Sequence, residues 1–274
     1  MKSLVQKFPN TYKYILALLL FASALFISVL LNKGAVKEYF PYTAVILLFL
    51  ATWILFKTDK KSLKSIGLNF TSRNLAFLPL GILIGAGVFL IAKYIIALYF
   101  GETIEISSAI NYKNIVYAFY TILPTVAVEE FLFRGYLFKK TIELSSVVKA
   151  NIIFSILFAS IHVFDSDVLN SLPMFIFLAI TISVGHLLFA TALLKSKSLL
   201  FPIGIHLGNN WATRHVLTSN NDGESFLYIV NKVNFDTWPS FITFIVLWNG
   251  FFLLVIYLIW KWNDFPFLNR QNKE

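Results

Sequence analysis

The chain has 274 residues, of which 58% are hydrophobic, 17% aromatic and only 14% charged, with a mean hydropathy of +0.73 and a net charge of +9. A soluble domain carries about 25% charged residues, so this composition and its long apolar runs exclude a soluble globular protein. With no cysteine in the chain, disulfides, thiolate nucleophiles, cysteine metal sites and lipidation at cysteine are excluded too.

The expected fold is all-α: a polytopic transmembrane bundle of about eight spans, forming a single membrane domain over 1–274. Residues 1–13 carry Lys2, Lys7 and Lys13 ahead of an apolar run that lacks a small-x-small cleavage site. That run is read as a retained first span and not as a cleaved signal. Segments long enough to cross a bilayer lie at about 14–31, 40–56, 75–99, 114–138, 148–164, 173–194, 199–216 and 239–260. The fifth and seventh are short and contain polar residues. Between the second and third, Lys57–Asn74 is too polar to span and reads as a connector with a short interfacial helix. In the third span, Gly81 and Gly85 are four apart, a spacing that lets helices approach closely. Lys93 lies deeper in that span with no assigned role. Residues 217–238 form the longest loop.

Placing the N-terminus in the cytoplasm and alternating sides puts 16 basic residues in inner segments and 5 in outer ones. The positive-inside rule expects that asymmetry, with both termini cytoplasmic. Topology therefore accounts for the net charge without a nucleic-acid partner. Residues 1–110 are read as N-terminal spans and connector, 111–216 as the catalytic core, and 217–274 as an outer loop and last span. The Phe/Ile/Lys/Asn-rich composition suggests a bacterial inner membrane.

Ionisable groups inside these spans are costly, roughly 2.5–3.5 kcal/mol each on insertion scales. The chain nevertheless places Glu129, Glu130 and Arg134 on one span, His162 on the next, His186 on the sixth, and His206 and Asn210 on the seventh. Counting about 1.5 Å of rise per residue from the inner loops puts Glu129 at about 15 Å, His162 at about 20 Å, His206 at about 12 Å and Asn210 at about 18 Å. They share a slab between the inner face and the midplane. Glu130 and Arg134, four apart, fall on one face and pair as the supporting half. Glu129 points about 100° away and is the candidate general base toward water. His206 and Asn210, also four apart, offer two donors to an oxyanion. His162 orients the water or carries a proton to the leaving amine. His186 reads as a hydrogen-bonded structural histidine and His215 as interfacial.

At these residues the chain resembles the CPBP family (CAAX proteases and bacteriocin-processing enzymes, also called Abi), which includes type II CAAX prenyl endopeptidase. The family pattern is Glu-Glu-x-x-x-Arg, Phe-x-x-x-His and His-x-x-x-Asn. It is met by Glu129, Glu130 and Arg134, by Phe158 and His162, and by His206 and Asn210, with similar flanks at Phe133–Phe138 and Phe201–Ile205. The likeness covers about residues 122–212. It implies an intramembrane endopeptidase of the glutamate type acting on a peptide or membrane-anchored protein. Glu129 and His162 would activate water, His206 and Asn210 would hold the oxyanion, and Glu130 and Arg134 would support the site. No cofactor is expected. Zinc stays open because Glu129, His162 and His206 could make a three-ligand set, although the helical His-Glu-x-x-His signature is absent. The competing expectations are a non-catalytic immunity or scaffold protein of the same fold, and a proton-coupled carrier. The carrier is disfavoured because the chain has no internal repeat.

Overall fold

A computed structural model describes residues 8–231 and 237–262. Lys2, Lys7, Lys232, Arg270 and Lys273 of the loop count lie outside the described residues. The order is α1 (Pro9–Leu31), α2 (Ala35–Tyr39), α3 (Thr43–Thr58), a 3-10 turn (Leu63–Ile66), α4 (Ser72–Phe100), β1 (Thr103–Ile106), α5 (Tyr112–Arg134) and α6 (Tyr136–Leu144). There follow α7 (Val147–Val163), α8 (Ser166–Leu169), α9 (Leu172–Ser196), α10 (Leu200–His215), β2 (Leu217–Thr218), β3 (Leu227–Val230) and α11 (Trp238–Lys261).

Eight of these helices take the places of the eight expected spans. Among the described residues, five stretches are long and apolar enough to cross a membrane: Pro9–Leu31, Ser72–Phe100, Tyr112–Leu144, Leu172–Ser196 and Trp238–Lys261. Thr43–Thr58 and Val147–Val163 are shorter apolar helices. Side chains such as Leu19, Phe26, Leu83, Val148, Ile156 and Val246 point outward into solvent-accessible space. A soluble protein seldom leaves so much contiguous apolar surface uncovered. The chain is a multi-pass helical membrane protein.

Local chemistry sets the helix starts. The side chains of Thr71, Asn111, Ser146, Ser171 and Thr237 each accept a hydrogen bond from a backbone N–H in the first turn of the following helix. Those amides have no intrahelical partner. Proline occupies the first turn of α1, α9 and α11, where its missing N–H costs nothing.

Two buried clusters fill the interior. One joins α1, α3, α5 and the 3-10 turn, around Phe21, Leu48, Leu55 and Val126. The other joins α4, α9, α10 and α11 and is rich in aromatics, including Phe89, Phe189 and Trp248. The tightest seam runs between α4 and α10. A Cβ added at Gly81, Gly85, Gly204 or Gly208 would overlap backbone atoms of the facing helix. The expected packing role of Gly81 and Gly85 is borne out, and the facing helix contributes glycines of its own at Gly204 and Gly208. The Trp211 indole N–H donates to the Ile115 carbonyl at 2.8 Å, and its ring stacks on Phe119, which ties α10 to α5.

Both ends of the described chain meet at the lysine-rich end of the bundle. Lys13 of α1 pairs with Asp59 just past α3. Trp262, just past α11, packs on Phe77 and Phe201 at the starts of α4 and α10. The opposite end carries a small sheet of order β1-β3-β2. Thr103 to Ile106 pair antiparallel with Val230 to Leu227, and Leu217 pairs in parallel with Leu227. Sequence patterning reads the 217–238 segment as loop alone. Strands this short carry no periodic signal of their own.

Candidate active site

Helix α5 ends at Arg134, and Gly135 breaks the chain before α6. A Cβ at Gly135 would collide with the Phe131 carbonyl oxygen, so the sharp turn needs glycine. The last two turns of α5 therefore stop inside the bundle with Glu129, Glu130 and Arg134 on them. Glu130 and Arg134 are completely buried and joined at 3.1 Å between Glu130 Oε1 and Arg134 Nη1. The same Oε1 lies 2.9 Å from His206 Nδ1 on α10. The other ring nitrogen, Nε2, lies 3.7 Å from Glu129 Oε2. A carboxylate can only accept, so the Nδ1–H donates to Glu130, and the ring is oriented with Nε2 toward Glu129.

The two carboxylates differ in setting. Glu130 has no exposed side-chain area, whereas the Glu129 side chain is 19% exposed. The expected division into a buried supporting pair and a more accessible Glu129 matches this arrangement. The ring of His206 is also clamped sideways, stacked on Phe189 of α9 at 4.5 Å and 18°.

Phe158 is the hub that links α7 to this cluster. The Arg134 guanidinium lies 4.0 Å over its ring, within cation–π range. The rings of His162 and His206 lie 4.8 Å and 6.2 Å from it. His162 is half-buried, and its Nδ1 lies 2.8 Å from the Phe158 carbonyl. Donation from Nδ1–H leaves Nε2 as a lone-pair acceptor. Asn210 is half-buried one turn beyond His206 on the same face of α10. Thus Glu129, Glu130, Arg134 and His206 are in direct contact. His162 is tied to them through Phe158, and Asn210 through its helix.

Two details depart from expectation. The depth estimate places His162 between the inner face and the midplane. Helix α7 has only 17 residues, and His162 is the last but one, so it lies near the end of α7 remote from the lysine-rich loops. His186 is fully buried, but neither ring nitrogen has a hydrogen-bond partner among the described residues. It packs among aromatic rings, 5.7 Å from Phe138 and 6.4 Å from Phe158. No group of three His, Asp or Glu side chains converges on a metal-sized site among the described residues. Glu129, His162 and His206 do not form such a set. His215 donates from Nδ1–H to the Glu224 carbonyl at 2.9 Å, beside the sheet.

Sequence reasoning missed Phe189, which supports His206 from a different helix, and the pairing of Gly204 and Gly208 with the α4 glycines. The second had a usable signal, since both glycine pairs share the spacing of four. The first had none.

No curated protein and no solved structure matches the chain. Residues 111–212 match the family model for type II CAAX prenyl endopeptidase Rce1-like proteins. That stretch carries Glu129, Glu130, Arg134, Phe158, His162, His206 and Asn210 together, and over it the chain is similar to the Rce1-like family.

Proposed function

We propose that the chain is an intramembrane endopeptidase of the glutamate type, cutting peptide bonds in membrane-associated proteins or peptides, as in CAAX-type processing or peptide maturation. The observation that carries this is the Arg134–Glu130–His206–Glu129 chain of contacts, which leaves one carboxylate accessible beside an oriented imidazole.

In the proposed mechanism a water lies between Glu129 and His162 Nε2. Both can accept its hydrogens. Glu129 takes one proton as the water oxygen attacks the substrate carbonyl carbon. The resulting oxyanion is held by the Nε2–H of protonated His206 and the side-chain N–H of Asn210. With His206 protonated, the formal charges of Glu129, Glu130, Arg134 and His206 sum to zero, which suits a buried cluster. When the C–N bond breaks, the carboxyl of Glu129 returns its proton to the leaving amine. Glu130 and Arg134 act by fixing His206 and do not touch substrate.

The test is cleavage of a quenched fluorogenic peptide library by purified protein in detergent. Glu129→Gln should lower turnover by roughly 10²–10⁴-fold, the usual worth of a general base. Undiminished cleavage by Glu129→Gln would refute the mechanism. Full rescue of a deletion phenotype by the same variant would point to an immunity or scaffold role.

A further inference from the structure

A cavity of about 1090 Å³ lies between α4, α9, α10 and α11 and contains none of the site residues. Its rim is formed at the sheet end by Ser171, Thr218, Asn220 and Trp238. The volume is slightly above the ~300–1,000 Å³ common for ligand cavities, enough for several side chains. Aromatic rings, among them Phe89, Phe244 and Trp248, form much of its wall.

Two observations tie it to the site. Thr213 lines the cavity, and it lies three residues beyond Asn210 and seven beyond His206. These three positions form one stripe along α10, about 10 Å from end to end. Phe89 of the cavity wall also belongs to the buried cluster that contains Phe189, the ring on which His206 stacks.

The wall also holds unmet hydrogen-bonding capacity. Trp248 and Thr181 line the cavity, and the indole nitrogen and the hydroxyl are each buried without a partner among the described residues. Trp248 itself is 7% exposed. An indole N–H can only donate, and leaving a buried donor unmade costs about 1–3 kcal/mol. A hydrocarbon chain offers it nothing, whereas peptide carbonyls offer an acceptor at every residue.

We propose that this cavity receives the substrate segment adjoining the scissile bond, an extended stretch with aromatic or aliphatic side chains. Substrate then reaches Glu129 from the sheet end, opposite the lysine-rich loops. By the positive-inside asymmetry this is the non-cytoplasmic side. The inference rests on the peptidase reading above and adds the direction of approach and the class of segment bound.

The cysteine-free chain allows a direct test with single cysteines in the full-length protein. Thr213→Cys is reacted with a bulky membrane-impermeant maleimide in sealed proteoliposomes with the sheet end outward. Lys113→Cys, exposed at the same end, is the control. Labelling at 213 should lower cleavage of the best library peptide by about tenfold or more relative to the same variant unlabelled, as misplaced substrate requires. Labelling at 113 should leave the rate unchanged. In a Glu129→Gln background, excess peptide should slow labelling at 213. Should Thr213→Cys not fold, Ser219→Cys at the rim replaces it. Complete labelling without loss of rate, labelling only from the lysine-rich side, or protection by a single-chain lipid but not by peptide overturns the inference. Because protection is read without turnover, it separates this failure from a failure of the peptidase reading, which shows as cleavage indifferent to Glu129→Gln.

Discussion

One oxygen, Glu130 Oε1, accepts from both Arg134 Nη1 and His206 Nδ1 in a fully buried setting. Removing its charge leaves the Arg134 guanidinium buried without its ion-pair partner, a defect worth about 3–5 kcal/mol. Glu130→Gln should therefore lower stability by that order in detergent unfolding. It should also lower turnover, because His206 loses the acceptor that sets its ring. Glu130→Asp should restore part of both. The Glu130–Arg134 pair is legible in sequence because a spacing of four fixes a shared helical face. The bond to His206 is not, since it joins positions 76 apart and no local pattern records which nitrogen faces which carboxylate. The stacking of Phe189 on His206 is hidden for the same reason.

At the scale of elements, the half of α10 that carries His206 and Asn210 is placed by contact of its backbone with α4. Gly85 and Gly208 each face a backbone carbonyl that an added Cβ would overlap, of Ile205 and of Ile82 respectively. Overpacking of this kind costs about 1–3 kcal/mol. Gly208→Ala should shift α10 and lower both melting temperature and cleavage, whereas Gly87→Ala, with nothing within 4 Å of its new methyl, should leave both unchanged. Thermal melts and library assays on the two variants check this. The places of the eight helices could be read from hydropathy, because apolar runs follow from transfer into lipid. Depth could not be read as well. Counting residues from a loop assumes full-length, straight helices, yet α7 has 17 residues and α5 contains Pro124 and stops at Gly135.

At the scale of the whole molecule, the lysine-rich end is fastened by Asp59, whose side chain is 4% exposed. It accepts from Lys140 at 2.9 Å and from the Tyr136 hydroxyl at 3.0 Å, and pairs with Lys13. Burial opposes the Asp59 charge, but these three donors outweigh it and hold its carboxyl below the usual range. The network joins α1, α3 and α6. A depressed carboxyl value means its contribution is complete above the unfolded value, about 3.9, and is lost as pH falls through the lower folded value. Wild-type stability should therefore decline below about pH 4 more steeply than that of Asp59→Asn. At neutral pH the variant should already be weaker by about 1.5–3 kcal/mol, the worth of hydrogen bonds to a charged group. Melts from neutral to acid pH compare the two. The bundle as a whole is unevenly stiff. Where α4 meets α10, backbone lies on backbone and neither helix can roll without collision. Where α9 and α11 meet, the contact is between side chains, such as Phe177 against Phe244 at 5.3 Å, and rings can re-seat as helices part. One side of the molecule thus serves as an anvil that keeps the carboxylates and His206 in register. Opposite it, α9 and α11 form the more yielding wall.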